Sequence, residues 1–365
     1  MQLDEIYLAG YKSFREVEIR LNPLNILIGA NGAGKSNFIS LFRLLNQVVE
    51  QKFQLFVPQQ GGADTFLHFG RKFTSEIILR LIFGKNGYRI KWIPTVDDRL
   101  IFAEEECAFF RGAYIDEYWE KIGSGHQESR LKDVSKRTEF NVPGYVLKNL
   151  NSWKLYHFHD TSETASVKLP GQINDNFALK PDAGNLSAYL YRLKNSNYAH
   201  YEAIRDTVRM VAPFFDDFAL RPMPEDEKRI RLEWRERGSD IPFLAHYLSD
   251  GTLRFSCLAT LLLQPPHHLP STIVIDEPEL GLHPYAISVL ASLMRSTATQ
   301  TQIIVATQSV TLVNQFEPSD LLIVERRGQE SIIERPNREQ LATWLEDYTL
   351  GELWEKNVLG GIPTR

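Results

Sequence analysis

Apolar residues recur along this chain with two periods, and the points where the period changes outline its architecture. Ile6 and Leu8 alternate with polar neighbours, as do Val17, Ile19 and Leu21, and Leu24 to Ile28 is a nearly continuous apolar run. Period two predicts strands, and the unbroken run predicts a strand covered on both faces. Glycines follow, then Phe38, Leu41, Phe42 and Leu45 at helical spacing, which completes a strand–loop–helix unit. Residues 58–64 predict a loop. Ile77, Leu79, Leu81 and Phe83 alternate up to Gly84-Lys85-Asn86-Gly87, and Tyr88, Ile90 and Trp92 alternate beyond it. Asn-Gly between two such runs predicts an antiparallel hairpin. Residues 123–137, polar and glycine-containing, predict a mobile, irregular segment.

From Asn185 to Val211 the period is helical, whereas Ile230, Leu232 and Trp234 alternate with charged residues as a half-exposed strand does. Thr272 to Ile275, Gln302 to Ala306 and Leu321 to Val324 are short apolar runs separated by helical stretches, the pattern of a parallel, doubly wound sheet. The expected fold is α/β, with a split core from residues 1–56 and 244–335. A mixed antiparallel-β and helical insertion is expected over 57–243 and a helical tail over 336–365. Leu341, Trp344, Leu345, Tyr348, Leu353 and Trp354 give that tail an apolar face suited to core packing, with partner docking as the alternative.

Composition narrows the function only a little. The chain has 365 residues, 43% hydrophobic and 24% charged, which excludes disorder and fibrous repeats and allows two or three domains. Forty-one basic against 46 acidic side chains give a net charge of −5, so nucleic acid can be held only by a local patch. Arg130–Arg137 and Arg221–Arg237 are the basic stretches. The second is interleaved with Glu225, Asp226, Glu227, Glu233 and Glu236, and reads as a solvated face. Two cysteines, an acidic start and no apolar run near the ~20 residues of a membrane span predict a cytoplasmic protein without a membrane contact.

The chemistry begins at Gly29-Ala30-Asn31-Gly32-Ala33-Gly34-Lys35-Ser36, which fits G-x-x-x-x-G-K-S/T between a strand and a helix. Such a loop turns successive N–H groups toward one point at a helix N-terminus, where phosphates bind. Asn31, Gly32, Ala33, Gly34, Lys35, Ser36 and Asn37 are the expected ATP-binding residues. Lys35 would neutralise the β/γ-phosphates, and Ser36 would offer its hydroxyl to Mg²⁺. Ile273-Val274-Ile275 runs into Asp276-Glu277: Asp276 is expected to hold the Mg²⁺ shell and Glu277 to polarise the attacking water. Ser249 and Gly251, in Leu248-Ser249-Asp250-Gly251-Thr252 before an apolar helix, form a candidate second anion site; an ordinary N-cap is the plainer reading. His157-Phe158-His159-Asp160 has metal-like spacing but lacks a third ligand cluster, and His267-His268 read as loop surface.

These motifs, in this order and joined by Leu280-Gly281-Leu282-His283-Pro284, resemble the ATP-binding cassette ATPases, in particular the RecF, SMC and OLD branch. Gly10-Tyr11-Lys12-Ser13-Phe14, Pro181-Asp182-Ala183-Gly184-Asn185-Leu186-Ser187 and the tail Trp354-Glu355-Lys356-Asn357 through Gly360-Gly361 are similar to its short bacterial members. The resemblance implies a P-loop ABC-type domain that closes as a head-to-tail homodimer, ATP sandwiched between protomers. Ser249–Gly251 of one copy would cover the γ-phosphate held by the other, with Glu279 to Pro284 crossing the interface. Transporter-type members carry histidine where this chain has Gln308; glutamine can sense the γ-phosphate and orient water but cannot carry a proton, which implies slow turnover. The family's glutamine loop is not identifiable: Gln59, Gln60 and Gln172 all fit poorly.

The resemblance favours an ATP-switched ATPase in phage defence or DNA metabolism. OLD-type relatives carry a toprim nuclease after the ATPase, and no further strand-borne acidic cluster precedes Arg365, so a nuclease or toxin is expected in trans. A repair or recombination clamp that grips duplex DNA is the alternative. The insertion has no long heptad run for coiled-coil arms. A transporter ATPase subunit fits less well, because of the opening hairpin, Gln308 and the Glu-Leu-Gly-Leu-His-Pro loop; a GTPase lacks its Asn-Lys-x-Asp segment.

Overall fold

The computed structural model describes residues 2–110, 119–136 and 142–361. The chain opens with β1 (Glu5–Tyr11) and β2 (Phe14–Arg20), an antiparallel hairpin in which Tyr11 faces Phe14. β3 (Leu24–Ile28) then leads through the glycine loop into α1 (Lys35–Val49) and the short α2 (Phe53–Gln59). Helix α2 thus extends into the stretch expected as a loop, which begins properly at Gln60. β4 (Ile77–Phe83), β5 (Asn86–Pro94), β6 (Leu100–Phe109) and β7 (Trp119–Gly123) extend the first hairpin into an antiparallel sheet ordered β2-β1-β4-β5-β6-β7. The strands of the expected insertion therefore continue the sheet that the first residues begin.

After α3 (Leu131–Val134) and α4 (Val142–Asn151), the four-residue β8 (Trp153–Tyr156) joins the other large sheet. Beyond it, β9 (Gly171–Gln172), helices α5 (Leu186–Ser196) and α6 (Tyr198–Val211), and the short strands β10 (Phe215–Phe218), β11 (Pro222–Met223), β12 (Asp226–Ile230), β13 (Glu233–Glu236) and β14 (Pro242–Leu244) form a flanking layer. The alternation at Ile230, Leu232 and Trp234 is not one strand. The chain leaves β12, which pairs with β9 and β11, and enters β13, which pairs with β10 and β14.

The last third alternates as expected: α7 (Asp250–Leu263), β15 (Thr272–Asp276), α8 (Pro284–Ala298), β16 (Gln302–Thr307), α9 (Val310–Val313), β17 (Leu321–Arg327) and β18 (Glu330–Glu334), then α10 (Arg338–Leu341) and α11 (Leu350–Glu355). Its sheet runs β18-β17-β3-β16-β15-β8, parallel throughout except for β18. A strand of the expected insertion, β8, forms its far edge, so the division drawn along the sequence does not coincide with the sheets.

Period two explains how this sheet is covered. Leu27, Val274, Ile304 and Leu322 point into one core with α1 and the antiparallel sheet. Ile26, Ile275, Val305 and Ile323 point into a second core with α6, α7, α8 and the tail residues Leu353 and Trp354. Helix α1 lies between the two large sheets and buries Phe38, Leu41, Phe42 and Leu45 there. Each such side chain contributes about 1.5–3 kcal/mol on burial, so packing rather than propensity holds α1. Among the described residues no helix is long and apolar enough to cross a membrane.

Within residues 123–136, His126, Ser129 and Leu131 are buried, while Ser124, Gly125, Gln127, Arg130, Lys132, Asp133 and Lys136 are exposed. The buried Glu105 carboxylate accepts from Tyr88 Oη at 2.6 Å, Ser129 Oγ at 2.5 Å and the Arg130 backbone N–H at 2.8 Å, and meets His126 Nε2 at 2.8 Å. Glu128 in turn accepts from the N–H groups that open α2. A polar sequence here hides a buried network centred on one carboxylate, which takes four contacts while His126 Nδ1 is left without a partner among the described residues. Arg137, the end of the first basic stretch, lies outside the described residues.

Candidate active site

The phosphate loop is shaped by its neighbours as well as by its glycines. Gly34 sits at φ +124°, and a Cβ there would stand 2.5 Å from Ser331 Oγ. Ser331, on β18, donates through Oγ to the Ala33 carbonyl at 2.5 Å, and its N–H reaches the Ser13 carbonyl at 2.7 Å. Ser13 Oγ accepts from Asn37 Nδ2 at 2.8 Å. Lys35, buried, donates to the carbonyls of Gly29 and Ala30. Asn31, Gly32 and Ser36 are exposed. Burial lowers the Lys35 pKa, opposed by the carboxylates of Glu277, Asp276 and Glu279. From the other end of the chain, the Gly361 carbonyl accepts the Ala30 N–H at 2.7 Å.

The acidic pair stands at the C-terminal end of β15. Burial raises the Asp276 pKa, and the neighbouring Glu277 charge adds to it. Glu277 occupies the left-handed region at φ +41°, held there by its N–H on the Ala306 carbonyl at 2.8 Å. A non-glycine residue in that region stores strain, which is concentrated at functional positions. Gln308, just beyond β16, donates from Nε2 to Glu277 Oε1 at 2.8 Å. The structure therefore brings Lys35, Asp276, Glu277 and Gln308 to one edge of the parallel sheet.

Ser249 caps α7: its Oγ accepts the Thr252 N–H at 3.2 Å. Ser249 and Asp250 are exposed, and Gly251 lies against the loop after β15, where a Cβ would stand 2.4 Å from the Gly281 carbonyl oxygen. Ser249 and Asp250 face solvent, with the exposed Tyr247 just before them in sequence and the exposed Leu280 and Tyr285 in and just after the loop that packs on Gly251. Arg254, one turn along α7, donates to the carbonyls of Phe158, His159 and Leu280.

Several residues at the site were not legible as such. Gln59 ends α2, Gln60 follows it, and Gln172 lies on β9. The side chain that reaches the Asp276 backbone is that of His159, whose Nε2 donates to the Asp276 carbonyl at 2.9 Å. The His157-to-Asp160 motif thus follows β8, the strand beside β15, rather than lying on it. Among the described residues no group of three or more His, Cys, Asp or Glu is placed to hold a metal ion. A cleft of about 340 Å³ adjoins the loop, lined by Lys12, Ser13, Asn37, Phe69, Arg326 and Gln329. In the second basic stretch Arg221 and Arg231 bind Glu233, and Arg235 lies 3.8 Å from Asp217.

Residues 24–314 match the family described as "AAA domain, putative AbiEii toxin, Type IV TA system". No curated protein matches the sequence. Among solved structures, the chain is similar to an SmcHead bound to the C-winged helix domain of ScpA, at 14% identity and a TM-score of 0.61, over 94% of this chain and 100% of that one. It is also similar to an Smc head domain with an extended coiled coil bound to the C-terminal domain of ScpA derived from Pyrococcus furiosus. There the identity is 15% and the TM-score 0.57, over 95% and 99% of the two chains. The fold is that of an SMC-head P-loop ATPase, as expected.

Proposed function

The chain belongs to the family of AAA domains described as putative AbiEii toxin of a type IV TA system, and from that premise we propose that it is an ATP-hydrolysing switch that works as a dimer. The observation that carries the reading is the Gln308–Glu277 hydrogen bond of 2.8 Å beside a buried phosphate-loop lysine that feels both acidic residues. Asn31 to Asn37 bind the nucleotide phosphates, and the cleft between Lys12, Phe69 and Arg326 has the chemistry for the rest of the nucleotide. Ser36 and Asp276 fit a magnesium ion: both offer hard oxygen ligands, and the buried carboxyl has a raised pKa that a nearby dication would reverse. Bound there, Mg²⁺ would neutralise phosphate charge. Glu277 takes the proton from water, and Gln308 holds Glu277 and that water in line. General-base assistance of this kind is worth about 10²–10⁴-fold.

The exposed Ser249 cap and its apolar surround support a head-to-tail homodimer in which this helix start closes over the γ-phosphate held by the second copy. The paired arginines of 221–235 weigh against a permanent grip on DNA. A separate effector, a nuclease or toxin, acting in phage defence or DNA metabolism is the output this reading favours. The family description names a toxin system, and the SMC heads of the same fold are seen with a partner protein.

The test mixes Lys35→Ala and Ser249→Ala chains, each inactive alone. In a mixed dimer, the phosphate loop of the Ser249→Ala chain meets the intact Ser249–Gly251 segment, the signature at the start of α7, of the other. Regained ATP hydrolysis on mixing is expected; no recovery, with both variants folded, would sink the shared-site dimer. Glu277→Gln with ATP and Mg²⁺ should run as a dimer on size exclusion, and wild-type turnover by that variant would remove Glu277 from its role.

A further inference from the structure

One carboxylate beside Gln308 has no catalytic role in the reading above. Glu279 lies two residues beyond Glu277, and its Oε1 accepts from Thr307 Oγ1 at 2.6 Å and from the Gln308 backbone N–H at 3.3 Å. Thr307 Oγ1 also accepts the Ser309 N–H at 3.0 Å. Gln308 is thus fixed at its backbone by Glu279 and at its side chain to Glu277. Glu279 Oε2 is buried and has no hydrogen-bond partner among the described residues. Burial raises the carboxyl's pKa, and the Glu277 charge acts in the same direction. On its other side, the Leu280 carbonyl receives Arg254 from α7, and Gly281 packs on Gly251. Glu279 therefore stands where the signature helix and the switch loop meet.

Accepting geometry, rather than charge, is what this environment preserves. Both donors converge on one oxygen, and no cation lies within ion-pair distance of the carboxyl among the described residues. A carboxylate engaged as a base or metal ligand would need its second oxygen reachable; here that oxygen is closed off. We propose that Glu279 is a positioning residue for ATP hydrolysis, holding the Thr307–Ser309 loop so that Gln308 keeps Glu277 in line, and tying that loop to the signature helix through Leu280. The inference rests on the ATPase reading above.

The test compares Glu279→Gln, Glu279→Ala and Thr307→Val with wild type, and with Lys35→Ala as background. Glu279→Gln keeps an acceptor oxygen for Thr307 and Gln308, and kcat close to wild type is expected. Glu279→Ala and Thr307→Val should lower kcat by about 10–100-fold while nucleotide affinity stays unchanged, since small misplacements of reacting groups cost that much. Amide hydrogen exchange across 307–313 should rise in Glu279→Ala and not in Glu279→Gln. A Glu279→Gln variant as slow as Glu279→Ala would overturn the proposal, because charge would then matter. Unchanged kcat in Glu279→Ala would overturn it too, as would a loss confined to nucleotide affinity. If wild type hydrolyses ATP no faster than Lys35→Ala, the ATPase reading fails, and the exchange measurement still decides whether Glu279 orders the switch. If Glu279→Ala does not fold, Thr307→Val carries the comparison.

Discussion

Replacing Gly251 by alanine separates activity from stability in a way the coordinates quantify. A Cβ at this position would stand 2.4 Å from the Gly281 carbonyl oxygen, whereas ordinary contact begins at 3.4 Å. The loop after β15 must therefore withdraw by about 1 Å (3.4 − 2.4), or α7 must, and a backbone carbonyl cannot rotate out of the way as a side chain does. Overpacking of this kind costs about 1–3 kcal/mol. Gly251 lies in the first turn of α7, and alanine there recovers up to about 1 kcal/mol of helix propensity. The net loss of stability is then between about zero and 3 kcal/mol, within the stability of a typical domain. Activity has no such offset, because the displaced loop carries Glu279 and Leu280 and lies between the start of α7 and the Thr307–Ser309 segment. A 1 Å displacement there should lower kcat by about 100-fold. The phosphate loop lies elsewhere, so nucleotide affinity of the isolated chain should not change. Steady-state ATP hydrolysis, titration with a fluorescent nucleotide and thermal unfolding measure the three quantities. Wild-type kcat in a folded Gly251→Ala protein would refute the reasoning, and so would a loss fully explained by weaker nucleotide binding.

Lys35→Ala removes the ammonium that the Gly29 and Ala30 carbonyls hold in place, and should abolish nucleotide binding by the same titration. Gly34→Ala must leave φ +124° and displace Ser331 Oγ, so it should lose both nucleotide binding and stability, unlike Lys35→Ala, which should lose only the first. The pH dependence of stability should carry the Glu279 signature. A carboxyl with a raised folded-state pKa binds more protons folded than unfolded, so stability falls as pH rises from the ordinary value of 4.5 through the raised one. Glu279→Gln should therefore be more stable than wild type in urea at neutral pH, with the gap closing below pH 4.5; a gap that widens on acidification would mean that the pKa is lowered instead.

What could be read in the sequence divides by the range of the contacts involved. The phosphate loop was legible because its residues are contiguous and the neighbouring periods place it between a strand and a helix. Asp276 and Glu277 were legible because an apolar run ends in them. Ser249 was visible as a cap. Ser331 carried no local signal, His159 only a metal-like spacing, and Ser13 and Glu279 only a place within the motifs of the resemblance, because each reaches the site through sheet order or a loop crossing. Trp153 to Tyr156 is too short to show a period, and its place at the edge of the parallel sheet turns His159 toward Asp276. His126 and Ser129 misled for a different reason: polar residues that bond to a buried carboxylate, here Glu105, can be buried, and a hydropathy pattern reads them as surface.

Strand order explains why these distant segments form one site. The phosphate-loop strand β3 and the acidic strand β15 are not neighbours; β16 lies between them. Its register places Thr307 level with Ile28 on one side and Ala306 level with Asp276 on the other. Gln308 consequently leaves the sheet between the loop that begins at Gly29 and the carboxylate of Glu277. A glutamine there can answer to both without a long side chain or a flexible lid. β8 continues the same logic outward, with Tyr156 level with Ile275, so that the residues just past it come alongside Asp276. Parallel strands end together, and each adds a different group to the same edge: backbone amides from β3, a hydrogen-bonding amide from β16, carboxylates from β15 and a histidine from β8. The antiparallel hairpin of β17 and β18 adds the last constraint, because Ser331 holds the Ala33 carbonyl from outside the loop. A nucleotide that pulls on the phosphate loop must therefore also load β18, and an acidic pair that shifts must load Gln308. The phosphate loop is thus braced from β18 and the acidic pair from β16, so the two halves of the site are held by different strands of one sheet.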